Sequence, residues 1–165
     1  MNIINNVRAI MRDGAGKVIR MERGHNNLTA GVPSATVFNA RVLLLMLLSG
    51  DNDSTNLPFD ISALTTMELG TGTTPGDSGL SSPYAPSGST IESIETWTWD
   101  YSTSQTSIDI TASTTWDSTY GALSNVNEVA IYNNSDEAFA YKKFNAALSK
   151  SSAGSITIEW KFTLS

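Results

Sequence analysis

The chain contains one histidine, His25, and no cysteine, so few nucleophilic or metal-binding arrangements can be built from it. A Ser-His-Asp triad would have to use His25, and no nucleophile-elbow motif accompanies it. The absence of cysteine excludes disulfides, thiolate metal sites and cysteine nucleophiles. We therefore predict no catalytic residue and no cofactor.

Carboxylate pairs are the second kind of chemistry to consider, because two acids about 5–10 Å apart across a groove can hydrolyse a glycosidic bond. Asp109 and Asp117 fall in the polar phase of an alternating pattern, where solvated carboxylates are ordinary. We interpret them as surface residues and expect a protein that is not an enzyme. The other acids on or near predicted strands are Glu92, Glu95 and Asp100.

Two further segments resemble ligand loops only in part. Residues 51–56 (DNDSTN) are rich in oxygen ligands, but the pattern of a calcium loop requires a glycine at its sixth position and a glutamate at its twelfth, where Ser62 stands. Residues 70–75 are glycine-rich but lack the lysine and helix of a phosphate loop. We predict polar turns and no metal site, with a cation at 51–56 as the alternative.

Aromatic residues offer a binding chemistry of another class. Trp97, Trp99 and Tyr101 alternate along one short segment and so share a face, on which sugar rings can stack. A carbohydrate-binding module therefore remains an alternative, although the sequence favours core or subunit-interface positions for these three. Trp116 and Trp160 share the apolar phase of their segments with isoleucines, which predicts the core.

Strands must position these side chains. Residues 108–117 and 155–164 alternate strictly between apolar and polar, and residues 64–69, 97–101, 128–132 and 138–144 also read as strands. Short polar turns connect those after residue 91. The pattern predicts a mainly β, antiparallel β-sandwich (jelly-roll-like), with its main strands in residues 91–165.

The first half predicts other elements of the same single domain, 1–165. Residues 7–12 and 17–23 flank Asp13-Gly14-Ala15-Gly16 and predict a β-hairpin within an N-terminal arm, 1–30. Residues 34–50 predict one buried α-helix, because residues 43–48 are apolar on every side and Gly50 can end it. Residues 70–90 predict a long Gly/Pro/Ser/Thr loop.

Charge is distributed unevenly. Residues 1–50 carry a net charge of +4 and the remainder −10, which together give −6. An acidic body disfavours nucleic acid, whereas the basic hairpin suits an acidic protein surface. The longest apolar run, residues 42–48, is far below the ~18 residues of a membrane span. We expect no membrane partner and, with no secretory signal at the start, synthesis in the cytoplasm.

Several segments, taken in order, resemble elements of small structural proteins from the virions of tailed bacteriophages. Residues 67–80 (MELGTGTTPGDSGL) are similar to their LGTGTTP element, and residues 126–133 (VNEVAIYN) to their NEV strand. Residues 140–144 (AYKKF) and 155–162 (SITIEWKF) resemble their closing strands, and residues 7–26 their opening hairpin. The likeness spans nearly the whole chain.

The resemblance implies a non-enzymatic virion protein assembled in the host cytoplasm. Our first expectation is a capsid decoration (cement) protein that stabilises the head by binding the major capsid protein, as a homo-oligomer with a trimer favoured. The alternative is a tail, collar, baseplate or fibre-adaptor protein. The family motifs are architectural and carry over no catalytic residue. The contact residues we expect lie in the hairpin and the long loop: Arg8, Arg12, Lys17, Arg20, Arg23, Thr73, Thr74, Pro75, Tyr84 and Pro86.

Overall fold

A computed structural model describes residues 3–25, 64–73, 80, 82, 90–100, 107–134 and 138–164. These residues form nine β-strands and one 3-10 turn, with no α-helix among them. The predicted helix at 34–50 and the oxygen-rich residues 51–56 lie outside the described residues. Within the described part of the chain, no helix is long and apolar enough to cross a membrane.

Nine antiparallel strands follow one another along the chain. They are β1 (Ile3–Arg12), β2 (Val18–His25), β3 (Leu64–Gly70), β4 (Glu92–Ser93), β5 (Thr96–Asp100), β6 (Ile108–Trp116), β7 (Leu123–Asn133), β8 (Ala138–Lys150) and β9 (Ser155–Leu164). The 3-10 turn, Ser118–Tyr120, connects β6 to β7.

The strands form two antiparallel sheets. One has five strands in the order β2-β1-β9-β6-β5, and the other has four in the order β4-β3-β7-β8. The predicted hairpin is confirmed as β1 and β2, and Asp13 Oδ1 accepts the backbone N–H groups of Ala15 and Lys17 at its turn. Since β1 lies between β2 and β9, the hairpin is part of the sheet and not an arm beside it.

The two sheets share one apolar core. Alternate residues of β9 point into it, and Ile156, Ile158 and Trp160 are fully buried there. The facing sheet contributes residues of β3, β7 and β8, among them Met67 and Leu148. The core position predicted for Trp160 is confirmed, as is that of Trp116 on β6, whose ring N–H donates to Thr90 O at 2.7 Å.

Candidate interaction surfaces

Glu128 on β7 is a fully buried acid whose carboxylate binds two backbone amides of the segment that follows β3. Its Oε1 accepts the backbone N–H of Gly72 at 2.9 Å and that of Ser82 at 2.9 Å. Hydrogen bonds from two amides are the compensation that a buried carboxylate needs. The side chain therefore ties β7 to the backbone at Gly72 and at Ser82, both of which follow β3 in the chain. We call this arrangement the loop clamp.

Further contacts reinforce the loop clamp. The Thr71 amide donates to Ser82 O at 2.8 Å, and the Asn127 side-chain amide donates to Thr71 O at 2.9 Å. Lys143 on β8, opposite Glu128, donates from its ammonium to Thr73 O. Contacts from β7 and β8 therefore hold residues 71–73 in place. Thr73, the last of them, is exposed.

Two neighbours fit closely around the carboxylate. Gly70 leaves room for it, because a Cβ at that position would lie 2.6 Å from Glu128 Cγ. On the other side, burial of Tyr141, followed by the negative charge of Glu128, raises the pKa of the tyrosine hydroxyl well above its ordinary value. The clamp joins two segments, residues 67–80 and 126–133, that stand far apart in the sequence.

The outer face of the five-stranded sheet carries a ladder of charges. Arg8 on β1 stands opposite Glu159 on β9 and donates to its carboxylate, with Nε 2.6 Å from Oε2. Lys161 pairs with Asp109 on β6 at 2.5 Å. Hydrogen bonds from Lys161 and then from Thr163 lower the pKa of Asp109. Asp109 therefore belongs to a surface ion pair, as its polar phase predicted.

A pocket of about 520 Å³ opens on this face. Arg23 on β2 is exposed and stands directly opposite Arg8. Because Arg8 is paired with Glu159, the second guanidinium leaves the rim of the pocket with an excess of positive charge. The lining residues are Asn6, Val7, Arg8, Arg23, Gly24, Thr111, Glu159 and Lys161.

The edges of the two sheets meet at β2 and β8, where polar side chains join them. Arg20 donates to Ala147 O at 2.7 Å, and Glu22 accepts the amide of Asn145 at 2.5 Å. Arg20 and Glu22 also pair with each other at 3.0 Å. Lys142 extends from β8 to cover Gly24. We call these contacts the closed edge.

Along β2, polar residues occupy the core-facing positions and apolar residues the exposed ones, which is the reverse of the usual pattern. Arg20 and Glu22 lie in the phase that faces the core, opposite Met11 and Ala9, whereas Ile19 and Met21 are exposed. Arg20 was expected to contact a partner, and this stays a prediction. In the described structure its guanidinium bonds within the chain, to Ala147 O and Glu22.

The opposite edge of the five-stranded sheet is β5. Trp97 and Trp99 pair with Ala112 and Ile110, so they occupy the same phase as the core. They are nevertheless 40% and 62% exposed. The reason is that β4, the edge strand of the other sheet, has two residues and β5 has five. A core position is therefore not found for Trp97 and Trp99 in the described structure, and the subunit-interface position that was favoured together with it stays a prediction. We call β5 the open edge.

The remaining predicted contact residues that the structure describes lie at three places: the hairpin turn, the pocket and the loop clamp. Arg12 donates to Gly16 O at 3.2 Å and so closes its own turn, while Lys17 is exposed at that turn. Arg8 and Arg23 share the pocket. Thr73 lies at the loop clamp. Thr74, Pro75, Tyr84, Pro86 and Tyr101 lie outside the described residues.

Sequence reasoning missed Glu128 and Lys150. Lys150 is 4% exposed and donates to Asp117 O at 2.7 Å and to Gly121 O. Burial lowers its pKa. For Glu128 the available signal was its position as the single charged residue of β7, beside apolar neighbours. No such signal marked Lys150, because β8 also contains Lys142 and Lys143. Asp117 caps the 3-10 turn, accepting the Thr119 amide at 2.9 Å.

The described residues contain no group of three or more His, Cys, Asp or Glu side chains placed to hold a metal ion. No protein-family model matches the chain, and neither a curated protein nor a solved structure matches it. The resemblance to virion proteins therefore depends on the sequence motifs alone.

Proposed function

We propose that this chain is a non-enzymatic structural subunit of a tailed-phage virion, that it decorates the capsid by binding the major capsid protein, and that its two sheets form a jelly-roll-like β-sandwich. The chain passes between the sheets after β2, β4, β6 and β8, and this alternation between two antiparallel sheets supports the sandwich. The proposed oligomer is a homo-oligomer, with a trimer favoured by the sequence.

The observation that carries this proposal is the loop clamp. The LGTGTTP-like element and the NEV-like strand resemble virion proteins as separate motifs, and Glu128 connects them through Gly72 and Ser82. A buried acid at this position gives the joint occurrence of the two motifs a physical reason. It fixes two points, Gly72 and Ser82, within the predicted loop 70–90, and loops positioned by a rigid scaffold commonly form binding surfaces.

The pocket on the outer face of the five-stranded sheet supplies a second contact, with an acidic group of the partner. Arg23 and Arg8 lie side by side at its rim, and an acidic side chain of a capsid subunit would neutralise the excess charge. Arg23→Glu should therefore weaken binding to capsids at least about tenfold, with a strong dependence on salt. Lys17→Glu is the matched control, because Lys17 is an equally exposed cation of the same hairpin outside the pocket. Equal effects of the two variants would contradict a specific role for the pocket.

The experiment that tests the function is a cryo-electron microscopy map of the virion that contains this chain, with mass spectrometry of the purified particles. We expect the chain in the particles and its density on the capsid surface. Density at the collar, baseplate or fibre attachment would favour the tail alternative. Absence of the chain from purified particles would overturn the proposal.

Carbohydrate binding is the second candidate, and the exposure of Trp97 and Trp99 on one face favours it. A glycan array and titration calorimetry test this candidate. Micromolar binding of a sugar by the wild type, lost in Trp97→Ala, would assign β5 to recognition of glycans. No binding across the array would exclude that role.

A further inference from the structure

The open edge differs from the closed edge in that no other described residue is shown to cover it. All five residues of β5 are exposed. Among the described residues, no strand lies on its outer side. Alternate residues of an antiparallel edge strand turn their N–H and C=O groups outward, and such a row is a template for another strand.

Natural edge strands are usually protected by lysine, proline or inward-pointing charge. The sequence of β5, Thr-Trp-Thr-Trp-Asp, has none of these in its interior, and its one charge, Asp100, stands at the end. The tryptophans add apolar surface beside the free backbone groups. Both features favour association with a strand over exposure to water.

The order of residues in β5 identifies the partner. The strand is nearly palindromic about Thr98, so two copies placed antiparallel bring Trp97 of one opposite Trp99 of the other, and Trp99 opposite Trp97. Aromatic pairs directly across two antiparallel strands attract each other. Asp100 meets the Thr96 hydroxyl of the other copy, so no like charges are placed opposite each other.

We propose that β5 pairs antiparallel with β5 of a second copy of this chain, with Thr98 opposite Thr98, to form one continuous sheet across two subunits. The contact has twofold symmetry and is self-complementary. Its smallest product is a dimer of twice the 17.7 kDa of one chain, and it would join trimers in pairs. The pairing does not depend on a role in virions. A sugar would use the tryptophan rings and leave the outward backbone groups of β5 unused.

Cysteine cross-linking tests the register, because the wild-type chain has no cysteine. Residues directly opposite in antiparallel strands have Cα atoms about 4.5–5.5 Å apart, within the range that a disulfide spans. Under mild oxidation, Thr98→Cys should form a disulfide-linked dimer, and a reductant should return it to single chains. Thr96→Cys or Asp100→Cys alone should not cross-link, whereas a mixture of these two variants should. Equal cross-linking of Thr96→Cys and Thr98→Cys, or none of Thr98→Cys in folded protein, would overturn the proposal.

Sedimentation equilibrium tests the association without a covalent bond. The mass of the wild type should double as its concentration rises, from one chain to two or from one trimer to two, and the double variant Trp97→Thr/Trp99→Thr should raise the dissociation constant at least about tenfold. Circular dichroism and thermal unfolding show whether the variant remains folded. A wild type that stays monomeric, or a trimer that the tryptophan variant leaves unchanged, would overturn β5 pairing and leave the virion proposal standing. If the wild type stays monomeric and binds a sugar, and Trp97→Ala loses that binding, β5 pairing would also be overturned.

Discussion

The closed edge, at β2 and β8, and the open edge, at β5, differ in how far other parts of the chain cover them. At the closed edge, Arg20 and Glu22 on β2 reach across to the backbone of β8, and Lys142 on β8 lies over β2. At the open edge, β5 extends past the two-residue strand β4, and its tryptophans are left exposed. The closed edge uses its polar groups inside the chain, whereas the open edge keeps them available.

The difference teaches that charge in an edge strand does not by itself mark a contact surface. The hairpin has five Lys or Arg residues between positions 8 and 23, yet Arg20 and Arg12 bond within the chain. The open edge has one charged residue, Asp100, and two exposed tryptophans. We therefore expect contacts with other molecules at the open edge, where the five-stranded sheet is wider than the four-stranded sheet.

The largest expected effect breaks the closed edge. Glu22→Ala removes the acceptor of the Asn145 amide and the partner of Arg20, and should lower the free energy of unfolding by about 2–3 kcal/mol. Glu22→Gln keeps an acceptor oxygen and should lose less. Urea unfolding measures both. A loss below about 0.5 kcal/mol for Glu22→Ala would mean that this edge is not closed in solution.

A pair of glycine substitutions compares the closed edge with the loop clamp. Gly70→Ala places a Cβ against the held carboxylate of Glu128 and should cost about 1–3 kcal/mol. Gly24→Ala meets the end of the Lys142 side chain, which can move, and should cost less than about 1 kcal/mol. Thermal unfolding of the two variants checks the order. The reverse order would contradict the rigid geometry assigned to the clamp.

A pH titration separates the charged sheet face from both edges. The folded pKa of Asp109 is lowered, so its ion pair with Lys161 stabilises the fold above the unfolded pKa of about 4 and the stabilisation is lost as pH falls through the folded value. Asp109→Asn should cost no more than about 1 kcal/mol at neutral pH, because the pair is partly exposed. Its difference from wild type should vanish in acid. A difference that persists there would assign the effect to packing.

The smallest effect on the stability of the single chain should come from the open edge. Trp99→Thr replaces a side chain that is 62% exposed with a residue that favours strands, and should change the unfolding free energy by less than about 0.5 kcal/mol. Dilute protein is required, so that association does not contribute. A loss of 2 kcal/mol or more, the size expected of a core residue, would show that the ring is covered.

The sequence predicts the parts of this fold that depend on local alternation. Apolar and polar residues alternate in β6 and β9, so the faces of Trp116, Trp160 and Asp109 were predictable. The same rule places Trp97 in the core phase, but exposure there depends on which strands lie opposite. Strand order is a long-range property, and no short segment of the chain encodes it.

The candidate site was predictable to a smaller extent. Thr73 and the hairpin arginines were expected contacts, but Glu128 was read as part of an apolar central strand. Its role depends on amides of Gly72 and Ser82, which come near it only through the pairing of β3 with β7. A lone acid in a buried strand is a usable signal for such a clamp, because burial requires partners.

Hydrogen exchange measured by mass spectrometry tests the difference between the two edges most directly. In dilute protein, a peptide covering residues 96–100 should exchange quickly, and peptides covering 18–25 and 138–150 should exchange slowly. Raising the concentration of the chain should slow exchange at 96–100 and leave the other two unchanged. Slow exchange of residues 96–100 at every dilution, or exchange at β2 and β8 as fast as at β5, would contradict the assignment of one closed and one open edge.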